Sequence, residues 1–116
     1  MKNYERTARQ YRTAQLWSVL VIAARHQEVL SPMMIWKLTG IPRQGIGPYL
    51  TSICNYCGRK RLPQLFMLVV DEASGRPPAI LKWKRHYKGT DVDEEQAKVF
   101  VFDWLKLKAP SPQDFK

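Results

Sequence analysis

The sequence contains few of the residues and stretches on which several classes of protein depend. Its 2 cysteines, Cys54 and Cys57, are too few and too close together for a disulfide framework, which is typical of a reducing compartment. No apolar run approaches the roughly 18 residues of a transmembrane helix, and the longest covers residues 19–24. The basic N-terminus lacks the apolar stretch and cleavage site of a secretory signal. These features predict a cytoplasmic protein without a membrane anchor.

The sequence also lacks the motifs of conventional catalytic sites. It contains no Walker-type phosphate loop, no serine elbow and no pair of carboxylates held apart in apolar surroundings. Its acidic residues cluster at 71–72 and 91–95, where a turn and a helix start are expected. Two histidines in a basic chain do not form a site. The sequence therefore predicts a protein that is not an enzyme and needs no cofactor.

Positive charge is the most informative property of the composition. The chain has 19 lysines and arginines against 10 acidic residues, a formal net charge of +9. Residues 1–90 hold 15 basic and 4 acidic residues (+11), whereas residues 91–116 hold 4 and 6 (−2). Solubility alone needs a smaller surplus, and a surplus of this size attracts polyanions through counterion release. DNA or another polyanion is the expected partner.

One domain is expected, because neither a repeat nor a flexible linker divides the 116 residues. A first long helix is predicted within residues 1–27. A second helix begins at Ser31-Pro32, a hydroxyl cap followed by proline, and ends at Gly40. Its inner face is predicted from Ile35, Leu38 and Met34.

A third helix follows the turn at Ile41-Pro42 and runs to about Cys57. Its apolar residues recur every three or four positions and predict the buried face: Ile46, Leu50, Ile53 and Cys57. Gly45, Gly47 and Pro48 are unfavourable inside a helix. Proline is tolerated if the regular helix begins near Gly47 and residues 42–46 form an extended loop, which would move phosphate contacts towards backbone N–H groups.

The remaining segments predict a hairpin, a helix and a tail. The apolar run at 65–70 predicts a buried strand, and residues 71–75 a turn. A returning strand is expected at 79–83, confined to an edge by Pro77 and Pro78. The last helix is predicted within 90–108, with acidic residues in its first turn and lysines in its last. Residues 109–116 are predicted to be a flexible tail.

This order of elements resembles winged helix-turn-helix DNA-binding domains in architecture. The resemblance covers about residues 28–84, and it rests on the following positions: Leu30-Ser31-Pro32, Leu38-Thr39-Gly40-Ile41, Leu50, Ile53, Val70 and Gly75. It implies an α+β fold in one domain, 1–108, in which residues 28–88 form the helix-turn-helix and wing. Such domains insert the second helix of the pair into the major groove. The implied function is that of a bacterial or phage transcriptional regulator that acts by occupying its site.

The resemblance places Arg43 and Gln44 at the exposed start of the recognition helix, where their planar donors match guanine and adenine edges. Tyr49, Thr51 and Ser52 would add contacts, or form an ordinary polar helix face. The predicted phosphate contacts lie after this helix and on the wing: Arg59, Lys60, Arg61, Arg76, Lys82, Lys84, Arg85 and Lys88.

Two other interpretations remain open. Cys54 and Cys57 resemble half of a zinc knuckle, which His26 and His86 would have to complete at spacings that match no common zinc motif; structural roles for both cysteines fit better. The chain is alternatively a protein-interaction module, an adaptor or an inhibitor of a nucleic-acid enzyme, which an exposed patch of Tyr4, Tyr11, Trp36 or Trp83 would favour. The long first helix is the element through which a homodimer would form.

Overall fold

The computed structural model describes residues 3–77 and 91–115, and within the first helix the side chains from Thr7 onward. Across these residues the α-helices are α1 (Asn3–Arg25), α2 (Pro32–Thr39), α3 (Ile46–Lys60) and α4 (Val92–Val101). Short 3₁₀ helices cover Arg43–Gly45, Leu65–Leu68 and Pro112–Asp114. The described part of the chain has no strand and no sheet, and none of its helices is long and apolar enough to cross a membrane.

The predicted α+β winged helix is therefore wrong. The segment predicted as a strand at 65–70 begins with the buried 3₁₀ helix, and among the described residues its β pairing is limited to an isolated parallel bridge between Leu30 and Val69. The Leu30 N–H donates to the Leu68 carbonyl at 2.8 Å. A continuous apolar run fits any element that is buried on all sides, so it did not specify a strand. The returning strand predicted at 79–83 lies outside the described residues.

The core is built around α1, which packs against α2, α3, α4 and the 3₁₀ helix Leu65–Leu68. Its middle buries Leu16, Trp17, Leu20 and Ala24 almost completely. A helix apolar on nearly all sides is expected to run through the centre of a small core.

The predicted start and stop of α2 are both present. The Ser31 hydroxyl accepts a hydrogen bond from the Met34 N–H at 3.2 Å, and Pro32 opens the helix. Gly40 ends it in the left-handed conformation, with φ +77°. The predicted inner face is correct only for Ile35, because Met34 and Leu38 are exposed. Because only one side of this eight-residue helix packs against the core, most of its side chains are exposed to solvent.

The start of α3 explains the unusual residues around position 47. The helix begins at Ile46, so Pro48 stands in the first turn, where its missing N–H is not needed. The preceding residues form a 3₁₀ turn instead of the predicted extended loop. A side chain at Gly45 would bring its Cβ to 3.3 Å from the Pro42 ring, so the turn packs tightly. The predicted inner face of α3 is confirmed in full: Ile46, Leu50, Ile53 and Cys57 are all buried.

The C-terminal part of the chain differs from its prediction in two ways. Asp91 caps α4 by accepting hydrogen bonds from two backbone N–H groups, but the helix ends at Val101 and not near residue 108. The segment expected to be a flexible tail packs on the core, because Phe115 is only 2% exposed. Its ring contacts those of Trp17 and Tyr56. The Gln10 side chain donates to the Phe115 carbonyl at 2.9 Å.

Candidate nucleic-acid interface

The predicted contact residues fall into two groups at opposite ends of α3. Arg43 and Gln44 lie on the 3₁₀ turn before its first residue, and Arg59, Lys60 and Arg61 end it. At a rise of about 1.5 Å per residue, the 15 residues of α3 separate the groups by roughly 21 Å. The two groups are therefore separate clusters of charge.

Between these ends, the exposed face of α3 is neutral. Thr51 is exposed, as predicted for a contact residue. Tyr49 is half-buried against the core, and the hydroxyl of the half-buried Ser52 donates to the Pro48 carbonyl at 3.2 Å. Only Thr51 of these three candidates therefore presents an exposed side chain to a ligand.

A groove lies beside the first group. It has a volume of about 380 Å³, and its lining consists of Pro32, Met33, Trp36, Pro42, Arg43 and Gln44. Met33 and Trp36 are 50% and 51% exposed, three positions apart on α2, so they share one face of that helix. The structure thus adds two apolar side chains to the predicted polar pair.

Arg43 is held at this groove by an ion pair. Its Nη2 lies 3.4 Å from Oδ2 of Asp71, at the start of the loop that follows Val70. The Asp71 N–H donates to the Arg76 carbonyl at 2.8 Å, which closes the loop and brings Arg76 to this side of the molecule. The Arg43 side chain remains two-thirds exposed. Three of the predicted contact residues, Arg43, Gln44 and Arg76, therefore lie in one neighbourhood.

The group at the end of α3 divides into one arginine with structural contacts and two free basic side chains. Arg59 donates to the Asp114 carbonyl at 2.9 Å, and its guanidinium lies 5.8 Å from the centre of the Tyr56 ring. Lys60 and Arg61 are exposed and form ion pairs with none of the described carboxylates. Arg59 therefore anchors the C-terminal segment, and its neighbours remain available to an anion.

Arg61 also has an unusual backbone conformation. It ends α3 at φ 54° and ψ 43°, in the left-handed region, and the next N–H, that of Leu62, donates back to the Cys57 carbonyl at 2.9 Å. Helices commonly end in this way with glycine, because a Cβ atom is strained there. A residue held in a strained conformation is a reason to look for a role of its side chain.

The distribution of charge along the sequence is consistent with an anion-binding surface on α2 and α3. No acidic residue stands between Glu28 and Asp71, a stretch that covers α2, α3 and the bridge and carries five basic residues. The acidic residues concentrate instead at the start of α4. The remaining basic residues predicted on the wing, Lys82, Lys84, Arg85 and Lys88, lie outside the described residues.

The two cysteines lie on α3, where Cys54 is half-buried and Cys57 is buried. Cys57 is fully buried, and burial raises the pKa of its thiol to about 12. No group of three metal-ligating side chains occurs in the described part of the chain. His86 lies outside that part, and His26 is exposed just after α1. The structural interpretation of both cysteines remains the simpler one.

Trp36 is among the residues whose exposure the docking interpretation required, whereas the exposure of Met33 was not predicted, although a signal for it exists. With Ile35 pointing inward, the spacing of an α-helix puts residues 33 and 37 on the opposite side and residue 36 at its flank. Comparisons with other proteins add no further guide, because no family model, curated protein or solved structure matches this sequence.

Proposed function

We propose that this chain binds nucleic acid and acts by occupying its target, without catalysis. The proposal is carried by the acid-free stretch from Val29 to Val70, whose exposed cations lie at both ends of α3. Phosphates attract such residues, and the released counterions contribute most of the non-specific affinity. A regulatory role of bacterial or phage type remains part of this proposal.

Because residues 65–70 form no strand, the proposed binding does not depend on a β-stranded wing. Lys37, Arg43, Lys60, Arg61 and Arg76 are the described cations that would contact phosphates, and Gln44 and Thr51 would contact bases or sugars. Five phosphate contacts predict a slope of log K against log salt of roughly −3.5 to −4.5. The basic residues at 82–88 would make it steeper.

Fluorescence anisotropy with labelled duplex and single-stranded 12-mers at graded salt tests the proposal. The double substitution K60A/R61A should lower the salt slope by roughly 1.4 to 1.8, because two phosphate contacts are lost. K106A/K108A removes the same charge after α4 and should leave the slope close to that of the unmodified chain. If the chain binds neither the duplex nor the single-stranded 12-mer at low salt, the proposal is refuted.

A protein-docking role is the second candidate, and one observation favours it. Besides Met33 and Trp36, α2 exposes Met34 and Leu38, and Tyr11 of α1 is also more than half exposed. Contiguous exposed apolar patches often mark interaction sites. M34Q/L38Q should abolish docking but leave nucleic-acid binding intact, because it removes apolar surface without adding charge. Sedimentation velocity over a range of concentrations would test docking of a second copy.

Self-association through α1 stays a prediction, for which the exposed side chains are Tyr11 and Ile22. We also propose a cytoplasmic location. The cysteine content supports it, because two cysteines three positions apart cannot form a disulfide framework, which is typical of a reducing compartment.

A further inference from the structure

We propose that the groove between α2 and the 3₁₀ turn binds one unpaired nucleobase, stacked on Trp36, so that the chain prefers single-stranded over duplex nucleic acid. This inference rests on the proposed function and names the part of the nucleic acid that the site recognises. It begins with the dimensions of the groove. Its volume of about 380 Å³ lies within the range of small-molecule sites, roughly 300 to 1,000 Å³.

The lining has the chemistry that single-strand binding needs. Trp36 presents a planar ring, half exposed, and Met33 and the two prolines supply apolar walls. Aromatic rings in single-strand sites stack on bases regardless of sequence, because every base has a π-face. Gln44 adds an amide that can donate to and accept from the edge of a base. The apolar and polar parts of the lining thus match the face and the edge of a base.

Charge complementarity favours a nucleotide over an apolar protein segment. The lining contains Arg43 and no carboxylate. Lys37 lies on the same face of α2, four positions after Met33, and pairs with none of the described carboxylates. Among the described carboxylates, only Asp71 is bonded to a lining residue, and its Oδ2 lies 3.4 Å from Nη2 of Arg43. Because Arg43 has five N–H donors and is two-thirds exposed, it retains donors for a phosphate.

The other exposed side chains of α2 make it possible to distinguish a nucleobase site from a protein-docking surface. Met34 and Leu38 are as exposed as Trp36 but do not line the groove. A protein partner would cover all of these residues, because specific interfaces bury at least roughly 1,200 Å² in total. A base would contact only the lining. Substitutions inside and outside the groove therefore distinguish the two.

The preference for single strands follows from stacking. In a duplex both faces of each base are already covered by neighbours, whereas bases in single strands can be splayed out onto aromatic side chains. A duplex would therefore reach only the cations of this surface.

The experiment compares two single strands that carry the same phosphates but differ in their bases, together with a duplex whose bases are already stacked. Fluorescence anisotropy at 0.1 M salt measures binding of the full chain to a labelled thymidine 12-mer, an abasic 12-mer and a 12-bp duplex. We expect the thymidine strand to bind roughly tenfold more tightly than the abasic strand. W36A should remove that difference, and W36F should keep most of it, because phenylalanine still stacks.

L38A is the matched control, since Leu38 is 55% exposed on the same helix and lies outside the groove. It should bind the thymidine strand as the unmodified chain does. Equal affinity for thymidine and abasic strands would overturn the inference but leave the proposed function intact. A lack of binding to all three oligonucleotides would refute both. A dimer that both W36A and L38A disrupt would show that a second copy covers this face, which also overturns the inference.

Discussion

Replacing Arg61 with glycine should stabilise the protein and weaken nucleic-acid binding in a single step. Arg61 ends α3 with φ 54° and exposes its side chain. Most substitutions in a binding site leave stability unchanged or reduce it. If R61G raises the free energy of unfolding and lowers the affinity for nucleic acid, the effect of the backbone on stability is separated from the effect of the side chain on binding.

The gain in stability at Arg61 is the difference between two opposing terms. A left-handed conformation costs a residue with a Cβ atom roughly 1.5 kcal/mol. Glycine removes that strain but makes the unfolded chain more flexible, which costs about 0.7 kcal/mol. The net increase in the free energy of unfolding is therefore roughly 0.8 kcal/mol, a rise in Tm of about 3 °C for a domain of this size.

The loss of affinity follows from counterion release. Each phosphate contact contributes roughly 0.7 to 0.9 to the slope of log K against log salt. If the unmodified chain and the variant bind equally at 1 M salt, the loss of one contact at Arg61 should weaken binding about five- to eightfold at 0.1 M salt.

Thermal unfolding and anisotropy titrations on R61G, R61A and R61K test both parts. R61A keeps the strain and loses the charge, so it should bind as weakly as R61G without becoming more stable than the unmodified chain. R61K should resemble the unmodified chain in both measurements. Q27G tests the strain argument alone, because Gln27 also has a positive φ, 55°, and follows α1. If R61G bound with an unchanged salt slope, the assignment of Arg61 to the interface would be refuted.

Three further predictions concern Asp71, Phe115 and Cys57. D71N should tighten nucleic-acid binding roughly threefold, because it removes a carboxylate whose exposed pair with Arg43 is worth about 0.7 kcal/mol; weaker binding would show that the pair positions Arg43. F115A should lower the free energy of unfolding in urea by about 3 to 4 kcal/mol, as for a buried phenylalanine, whereas the exposed neighbour in Q113A should change it little. Burial raises the pKa of Cys57 from 9.0 to about 12, so the unfolded chain loses this proton first and the free energy of unfolding should fall as pH rises above 9. Urea unfolding of C57A between pH 8 and 10 should show a smaller fall, and an identical pH dependence would contradict this cause.

Local signals in the sequence predicted both ends of α2, the place of Pro48 in α3 and one buried face well. Ser31 and Gly40 act through short-range geometry that any context preserves, and Pro48 can be placed only in a first turn. The buried face of α3 follows from its spacing. Each of these features depends on residues within four positions of one another, so the sequence contains the necessary information.

The errors arose where the environment of a segment decides its structure. The apolar run at 65–70 fitted a strand or any other fully buried element, and only its packing against α1, α3 and α4 made part of it a 3₁₀ helix. Phe115 follows two prolines in a polar segment that predicted disorder, yet an aromatic pocket formed by Trp17 and Tyr56 holds it. The groove shares this origin, since Met33 and Trp36 meet Arg43 only in the folded chain.

The docked C-terminal segment has a consequence for how the chain folds during synthesis. The hydrogen bond from Gln10 to Phe115 joins positions 105 residues apart. The aromatic ring that fills the pocket beside Trp17 is therefore made long after α1, and the core stays incomplete until the ribosome has released residue 115. During that time the pocket exposes apolar surface of the kind that chaperones bind. A ribosome stalled before residue 115 has emerged should accordingly hold a chain that is more sensitive to protease than one released after it.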